Sequence, residues 1–296
     1  MAQPQTTIAL LWDFDLTLSP DYMQKYLFES NGLDVRQFWR ERNALVENAK
    51  SKGINYDSGI AYLNLLLRYV REGKLPGLSN SRLREYGEKI QLYSGLPDFF
   101  PRLKRLVEDD SKYKQYDISL EHYVISGGLK EMIKGSPINP YLTEIFASEF
   151  YEDEAGVINE AARCVDSSKK PEFIHLINKG ANIESDIDLN GKMPHQHRRI
   201  PFQNMIYVGD GPSDVPSFAT LNRRGGECLA VYNPGSDHAF ESVYLLQKQE
   251  RIFTFIPADY SVGSHASKVL EHMVRQIAEG IVNSKKSNTG SHGPKF

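Results

Sequence analysis

The sequence has few of the features that mark specialised protein classes. Its 296 residues include only two cysteines, Cys164 and Cys228, which excludes a disulfide framework and favours a reducing compartment. No apolar run approaches the roughly 18 residues needed to cross a membrane, and no signal sequence is recognisable. We therefore expect a cytoplasmic location and no membrane partner.

Excess charge of either sign is also absent. The formal net charge is −3, with 40% hydrophobic and 25% charged residues, as in an ordinary soluble protein. Short basic runs at 197–199 and 285–286 are typical of a solvated surface. Neither an internal repeat nor a repeating aromatic platform for stacking bases is present, so we expect no nucleic-acid partner.

Two acids follow the first apolar run. Residues 8–12 are nearly all apolar and stop abruptly at polar residues, which predicts a buried strand. Asp13 and Asp15 come directly after it, on either side of Phe14. Either acid alone is compatible with a turn or a helix cap. Ligands of open α/β sheets, however, bind outside the carboxyl ends of strands, where chemistry is normally done.

Polar residues follow two further predicted strands. Residues 122–125 lead into Ser126, and residues 205–208 lead into a turn-rich segment with Asp210 and Asp214. Because the carboxyl ends of parallel strands share one edge of a sheet, these residues are candidates for the same site.

A lysine pair lies between those two strands. Lys169 and Lys170 precede Pro171 and a segment, 172–178, with helical apolar spacing. Together the four segments supply four carboxylates, a hydroxyl and an ammonium group, a set that suits phosphoryl transfer. Clustered acids repel by about 4 kcal/mol for each pair 4 Å apart at an effective dielectric of 20. A divalent cation is therefore implied, and oxygen-only ligands without Cys/His spacing favour Mg²⁺ over zinc.

The order of these motifs resembles that of the haloacid dehalogenase (HAD) superfamily of phosphatases. The matching parts are residues 13–17, Ser126, Lys170 and residues 209–214, and the resemblance spans roughly residues 8–235. It is nearest to the phosphoserine-phosphatase-like branch, which has a helical cap. The resemblance and the alternation of predicted strands and helices imply an α/β fold: a Rossmann-like parallel sheet flanked by helices, with an inserted all-helical cap domain.

The resemblance also implies catalytic roles. Asp13 would be the nucleophile that forms an aspartyl phosphate, and Asp15 the general acid and base. An acid at position 15 favours phosphate-ester chemistry, since family members that cleave carbon–halogen bonds lack it. Ser126 would hydrogen-bond one phosphoryl oxygen, Gly127 would let backbone N–H groups approach, and Lys170 would hold another oxygen.

The implied metal ligands are four acids. Asp13 and Asp210 would bind Mg²⁺ through carboxylates, Asp15 through its backbone carbonyl, and Asp214 directly or through water. Lys170 is preferred over Lys169 because Pro171 suits a first helical turn and the family's lysine stands just before a helix, but Lys169 stays open.

Composition predicts the domain organisation. Residues 20–94 lose strand-like runs and acquire helical spacing, which predicts the cap. The core is expected at residues 1–19 and 95–284, and a polar, Gly/Ser-rich tail at 285–296 is expected to be disordered. Substrate choice should reside in the cap, where we name seven candidates without ranking them: Tyr22, Glu29, Arg36, Arg40, Arg42, Tyr56 and Tyr62.

The predicted function is Mg²⁺-dependent hydrolysis of small phosphate monoesters, with a small phosphorylated metabolite as partner. One alternative is a phosphotransferase or mutase that uses the same intermediate. Another is a catalytically silent binding or regulatory protein of the same fold. The sequence leaves the oligomeric state open.

Overall fold

A single mixed sheet and its flanking helices make up the computed structural model, which describes residues 5–181, 187–188 and 190–290. The strands are β1 Thr7–Trp12, β2 Ser119–Leu129, β3 Glu144–Glu152, β4 Ile158–Arg163, β5 Met205–Gly209, β6 Glu227–Tyr232 and β7 Phe255–Pro257. The helices are α1 Gln24–Ser30, α2 Val35–Ser51, α3 Ser58–Arg71, α4 Asn80–Gly87, α5 Phe99–Glu108, α6 Ser111–Lys114, α7 Lys130–Gly135, α8 Lys170–Lys179, α9 Val215–Asn222, α10 Asp237–Lys248 and α11 His265–Gly290.

The strand order places the chain's first strand at the centre of the sheet. The seven strands are arranged β4-β3-β2-β1-β5-β6-β7. Every neighbouring pair is parallel except β3 and β4, so the predicted α/β class with a largely parallel sheet is confirmed. The order reverses at β1, which pairs with β2 on one side and β5 on the other. Such a switch point opens a crevice at the carboxyl ends of the strands.

Burial on both faces explains the continuous apolar run of β1. Successive side chains of a strand point to opposite faces. Ile8, Leu10 and Trp12 belong to one buried cluster, whereas Ala9 and Leu11 belong to another on the opposite face. Helices cover both faces, which is why a central parallel strand carries no polar alternation.

The segment between β1 and β2 is helical, as predicted for the cap. α1 to α4 lie within residues 20–94. Side chains of Asp34, Asp57 and Ser79 accept hydrogen bonds from N–H groups in the first turns of α2, α3 and α4, so each of these helices begins at a polar cap. The exact limits of the cap domain stay a prediction.

One predicted segment differs from the structure at the C-terminal end. The tail predicted to be disordered from residue 285 begins instead as the continuation of α11 to Gly290. A helix already held by buried residues such as Val282 extends without a new nucleation cost. Residues 291–296 lie outside the described residues.

Within the described ranges, none of the helices combines the length and the apolar character that crossing a bilayer requires.

Candidate active site

The acid pair lies at the carboxyl end of β1. The Asp13 N–H donates to the Val208 carbonyl over 2.9 Å, so the hydrogen bonding with β5 continues one residue past the strand. The chain then turns: the Leu18 N–H donates to the Phe14 carbonyl over 2.8 Å, and Leu16 adopts a left-handed φ of 60°. A non-glycine residue in this conformation carries strain, which is common at functional sites.

The turn also fixes Asp15. Its Oδ1 accepts a hydrogen bond from the Met23 N–H over 2.8 Å, just before α1. Thr17 carries a hydroxyl in the same turn. That hydroxyl is buried without a hydrogen-bond partner among the described residues, and the Thr17 carbonyl instead accepts from the Tyr260 hydroxyl over 2.7 Å. The backbone of the turn, rather than a side chain, therefore ties it to the core.

Lys170 enters the site from the first turn of α8. Its buried ammonium lies 2.9 Å from Asp13 Oδ1 and 2.7 Å from Asp214 Oδ1. Lys169 is exposed. Because Pro171 follows Lys170 at the start of the helix, the rigid first turn directs Lys170 inward. The structure therefore places Lys170, and not Lys169, beside the acids.

Asp214 is fully buried and held from three sides. Its Oδ1 accepts from Lys170 and, over 2.9 Å, from the Tyr207 hydroxyl, while its Oδ2 accepts from the Asp210 N–H over 3.2 Å. Gly209 allows this approach, because a Cβ there would lie 2.3 Å from Asp214 Oδ2. The glycine thus lets the two acids after β5 fold back against the strand.

Ser126 stands within β2 beside the same acids. It is buried, and its Oγ accepts from the Gly128 N–H over 3.0 Å. A Cβ on Gly128 would lie 2.2 Å from Met23 Cε, so the absence of a side chain at this position leaves room for the end of the Met23 side chain. Gly127 lies beside Ser126 in the lining of the cavity described below.

The pKa values of Asp13, Asp15 and Asp210 are strongly shifted. Burial, followed by repulsion from Asp214, raises the pKa of Asp13 to about 6, although Lys170 acts in the opposite direction. Burial raises the pKa of Asp15 to about 8. Burial and the charges of Asp13 and Asp214 also raise the pKa of Asp210 well above its usual range. A carboxyl such as Asp15, protonated at neutral pH, can donate a proton.

Lys170 keeps its charge despite its burial. Burial by itself disfavours the ammonium form, but the neighbouring Asp13 and Asp214 carboxylates outweigh it and raise the pKa of Lys170. One cation thus bridges two of the acids and leaves Asp210 without a counter-charge of its own among the described residues.

Three acids at this edge fit a divalent cation. Asp13, Asp210 and Asp214 can each offer a carboxylate oxygen, and these oxygens lie within 4.8 Å of one another. Hard oxygen donors suit Mg²⁺. The Asp15 carboxylate is not one of the three, so a role for Asp15 as a ligand through its backbone carbonyl stays a prediction.

A cavity of about 650 Å³ opens over the acids. Six of the seven predicted site residues line it: Asp13, Asp15, Ser126, Gly127, Lys170 and Asp210. The seventh, Asp214, lies behind Lys170, from which it accepts a hydrogen bond. The structure therefore brings all seven together, and their catalytic roles stay predictions.

The helical segment supplies the other wall of the cavity. Of the seven cap candidates, Tyr22, Arg42 and Tyr62 line it, and the other four do not. The sequence analysis missed Gln24 and Trp39, which also line it. The sequence does contain a signal for both residues. Gln24 follows the acid motif closely, and Trp39 is three residues before the candidate Arg42 on one helix, where residues at this spacing are neighbours.

Comparison with known proteins identifies one close relative. An uncharacterized protein of Borreliella burgdorferi is 31% identical over 282 residues, which cover 89% of this chain and 95% of that protein. No protein-family model matches the chain.

Solved structures with a similar fold include a phosphoserine phosphatase and a HAD family hydrolase. A phospho-aspartyl intermediate analogue of phosphoserine phosphatase aligns with a TM-score of 0.51 at 16% identity, covering 90% of this chain and 99% of that one. A HAD family hydrolase of Salmonella enterica serovar Typhi aligns with a TM-score of 0.52 at 17% identity, covering 86% and 68%. At such low identity the likeness is one of fold. The chain therefore has the HAD hydrolase fold and belongs to one family with the Borreliella protein.

Proposed function

We propose that this protein is a Mg²⁺-dependent phosphatase that hydrolyses small phosphate monoesters through a phosphorylated Asp13. The observation that carries the proposal is the contact of Lys170 with Asp13 and Asp214, next to Asp210 and beneath an open cavity. A carboxylate nucleophile, a fixed cation and a cluster of acids able to hold a metal are the parts that phosphoryl transfer requires.

Asp13 is the proposed nucleophile. Its carboxylate ends the central strand, faces the cavity and is fixed at one oxygen by Lys170. The free carboxylate oxygen attacks the phosphorus atom, the bond to the leaving alcohol breaks, and an aspartyl phosphate forms. Water then attacks that phosphorus and restores the carboxylate.

Asp15 is the proposed general acid and base. The Met23 N–H holds its carboxyl group at the cavity wall, two residues from the nucleophile. Asp15 gives its proton to the leaving alcohol oxygen in the first step and takes one from the attacking water in the second. It thereby returns to its starting state.

The phosphoryl oxygens need donors and positive charge. Ser126 and the backbone at Gly127 are the proposed hydrogen-bond donors, and Lys170 stabilises charge that develops on the oxygens. Asp13, Asp210 and Asp214 would hold Mg²⁺, with the Asp15 carbonyl as a further ligand. When bound, the ion neutralises negative charge on the phosphoryl group.

The decisive test is phosphate release from a panel of small phosphomonoesters, with Mg²⁺ or with a chelator, for wild type and Asp13→Asn. We expect metal-dependent release by wild type and a loss of about a thousandfold or more in kcat for Asp13→Asn, because the amide is not nucleophilic. The control is Asp34→Asn, the same change at the start of α2, where asparagine also caps a helix.

Wild-type-like hydrolysis by Asp13→Asn would refute the nucleophile. Transfer of phosphate to an added alcohol in preference to water would replace the phosphatase by a phosphotransferase with the same intermediate. Absence of turnover across the panel, together with unchanged ligand binding by Asp13→Asn, would instead favour a binding or regulatory role.

A further inference from the structure

Helix α10 presents an aromatic face to solvent. Among the described residues, ten large apolar side chains are exposed, and four of them lie within residues 240–253: Phe240, Tyr244, Leu245 and Phe253. We call this cluster the α10 face. Phe253 follows the helix and is tied to it, because Gln247 Nε2 donates to the Phe253 carbonyl over 2.9 Å. Single exposed apolar side chains are ordinary, but a cluster of them marks an interaction surface.

Ring contacts with the sheet hold the α10 face in place. Phe240 is 43% exposed, yet its ring contacts Tyr232 of β6 and Phe255 of β7, with ring centres 5.5 and 5.7 Å or less from their neighbours in this group. Tyr244 stacks on Phe240 with ring centres 6.1 Å apart and planes 12° apart. Rings that are already ordered lose little conformational entropy when a partner covers them, which suits them to anchor an interface.

The charges of α10 are divided between its two halves. Asp237 and Glu241 lie toward the N-terminus of the helix. Lys248 is its last residue, and Arg251 follows shortly after, with Glu250 as the one acid beyond the helix end. All of these residues are exposed, and none forms an ion pair with any residue that the structure describes. The helix therefore offers an acidic end and a basic end to a partner.

Helical spacing makes this charge pattern complementary to itself. Glu241 and Lys248 are about two helical turns apart, so they share a face with Tyr244, which lies midway between them. When two copies of α10 pack antiparallel about a twofold axis at Tyr244, Glu241 of each copy lies beside Lys248 of the other. Asp237 likewise comes beside Arg251. A parallel arrangement would place like charges side by side, so the charges favour the antiparallel one.

We propose that the α10 face joins two copies of this chain in a twofold-symmetric dimer with antiparallel α10 helices. A second copy suits this face because its charges are complementary to themselves under a twofold rotation. Pairing of strands across the sheet edge suits it less, since β7 is only three residues long and contains Pro257. No residue of α10 lines the cavity over the acids, so the dimer does not depend on the proposed phosphatase function.

The size of the α10 face determines the expected affinity. Its 12 residues make α10 about 18 Å long, and a pair of such helices buries less than the roughly 800 Å² per partner of a standard interface. We therefore expect a dimer with a Kd in the micromolar range. Sedimentation velocity of the full chain from about 1 µM to about 500 µM should show a shift from monomer to dimer.

Charge reversal tests the antiparallel arrangement. Glu241→Lys and Lys248→Glu each convert two attractive contacts per dimer into two repulsive ones, so each variant alone should dimerise about tenfold more weakly than wild type. An equimolar mixture of the two variants should regain dimers, because opposite charges again face each other between unlike chains. Glu85→Lys is the matched control at an exposed position on α4, and it should dimerise as wild type does.

A substitution at the centre of the face tests the aromatic contact. Tyr244→Glu removes a ring and brings two like charges together at the twofold axis, so it should abolish dimers over the same concentration range. Tyr151→Glu makes the same change at an exposed tyrosine of β3 and should leave the dimer unchanged. Circular dichroism of each variant at low concentration separates loss of the dimer from loss of the fold.

Three results would overturn this dimer. Wild type that stays monomeric up to about 500 µM would show that two copies do not join at all. Dimers that persist unchanged in folded Tyr244→Glu would place the contact on another surface. Dimers that are lost in both charge variants and do not return in their mixture would exclude the antiparallel arrangement of α10.

Discussion

At the scale of single residues, His122 shows how burial determines ionisation in the core. It lies on β2, and its Nδ1 accepts a hydrogen bond from Trp12 Nε1 over 3.2 Å, which leaves Nε2 protonated to donate to the Phe100 carbonyl over 3.2 Å. Both ring nitrogens of the neutral form are thus satisfied. Burial lowers the pKa of His122 from 6.5 to about 3. Protonation of Nδ1 would break the contact with Trp12.

This histidine should make folding stability depend on pH. The folded pKa lies below the unfolded one, so the contribution is fully present above about pH 6.5 and is lost as pH falls toward 3. We expect wild type to lose about 1.4 kcal/mol of unfolding free energy per pH unit from this group. His122→Gln should lack this component, although it also costs about 1–3 kcal/mol at neutral pH by leaving the Trp12 N–H unpaired.

Urea unfolding of both proteins between pH 7.5 and pH 4.5 measures the difference in slope. His272→Gln is the matched control, because it removes an exposed histidine from α11 without changing the core. If the unfolding free energy fell equally with pH in wild type and in His122→Gln, the histidine would not govern stability in acid.

At the scale of secondary-structure elements, α4 and α7 are held together at close range. A Cβ on Gly135 of α7 would lie 2.0 Å from the Arg84 carbonyl oxygen, and one on Gly87 of α4 would lie 2.1 Å from the Met132 carbonyl oxygen. Glu131 adds ion pairs with Arg84 and with Lys134. α4 belongs to the helical segment and α7 follows β2, so this contact joins the predicted cap to the core.

Gly135→Ala should therefore destabilise the protein. The added methyl group meets backbone rather than a movable side chain, so the two helices must separate, and we expect a loss of about 2 kcal/mol or more of unfolding free energy. Gly280→Ala is the matched control on α11, where a Cβ meets nothing within 4 Å. There alanine should raise stability by about 0.5–1 kcal/mol.

Chemical denaturation of wild type, Gly135→Ala and Gly280→Ala measures both the expected loss and the expected gain in unfolding free energy. Equal effects of the two substitutions would contradict a close helix contact at Gly135.

At the scale of the whole molecule, repulsion within the acid cluster acts against folding. Asp13, Asp210 and Asp214 converge on one edge of the sheet, and Lys170 contacts only two of them. Charge repulsion at this edge is therefore part of the free energy of unfolding, and any ion that neutralises it stabilises the entire fold.

Thermal stability should respond to Mg²⁺ accordingly. A ligand at 100 times its Kd adds about 2.7 kcal/mol, which corresponds to a rise of several degrees in Tm. Asp210→Asn removes one ligand and one repulsive charge, so we expect it to be more stable than wild type in chelator and less stable in saturating Mg²⁺. Thermal scans over a Mg²⁺ series measure this reversal. Asp237→Asn, at an exposed position on α10, is the control, and its Tm should respond to Mg²⁺ as that of wild type does. If the Tm of Asp210→Asn also responded as that of wild type does, Asp210 would not be a metal ligand.

Much of the fold was predictable because burial leaves a local pattern in the chain. Residues 8–12, 122–125 and 205–208 all lie in strands, and 172–178 lies in α8. A strand covered on both faces must be apolar throughout, so its ends are readable from sequence alone. The register of β4 against β3, with its irregularities, depends on contacts between the two segments and comes from the structure.

The sequence by itself determined the class of fold and the acids at the strand ends, because strand burial and polar strand ends are local properties. Only the tertiary structure decided which of two adjacent lysines points inward, that the backbone of Thr17 rather than its hydroxyl ties down the loop, and that Gln24 and Trp39 join Arg42 in one wall. Those outcomes depend on which helix faces packed against the carboxyl edge of the sheet, and packing between distant segments leaves no fixed spacing in the chain.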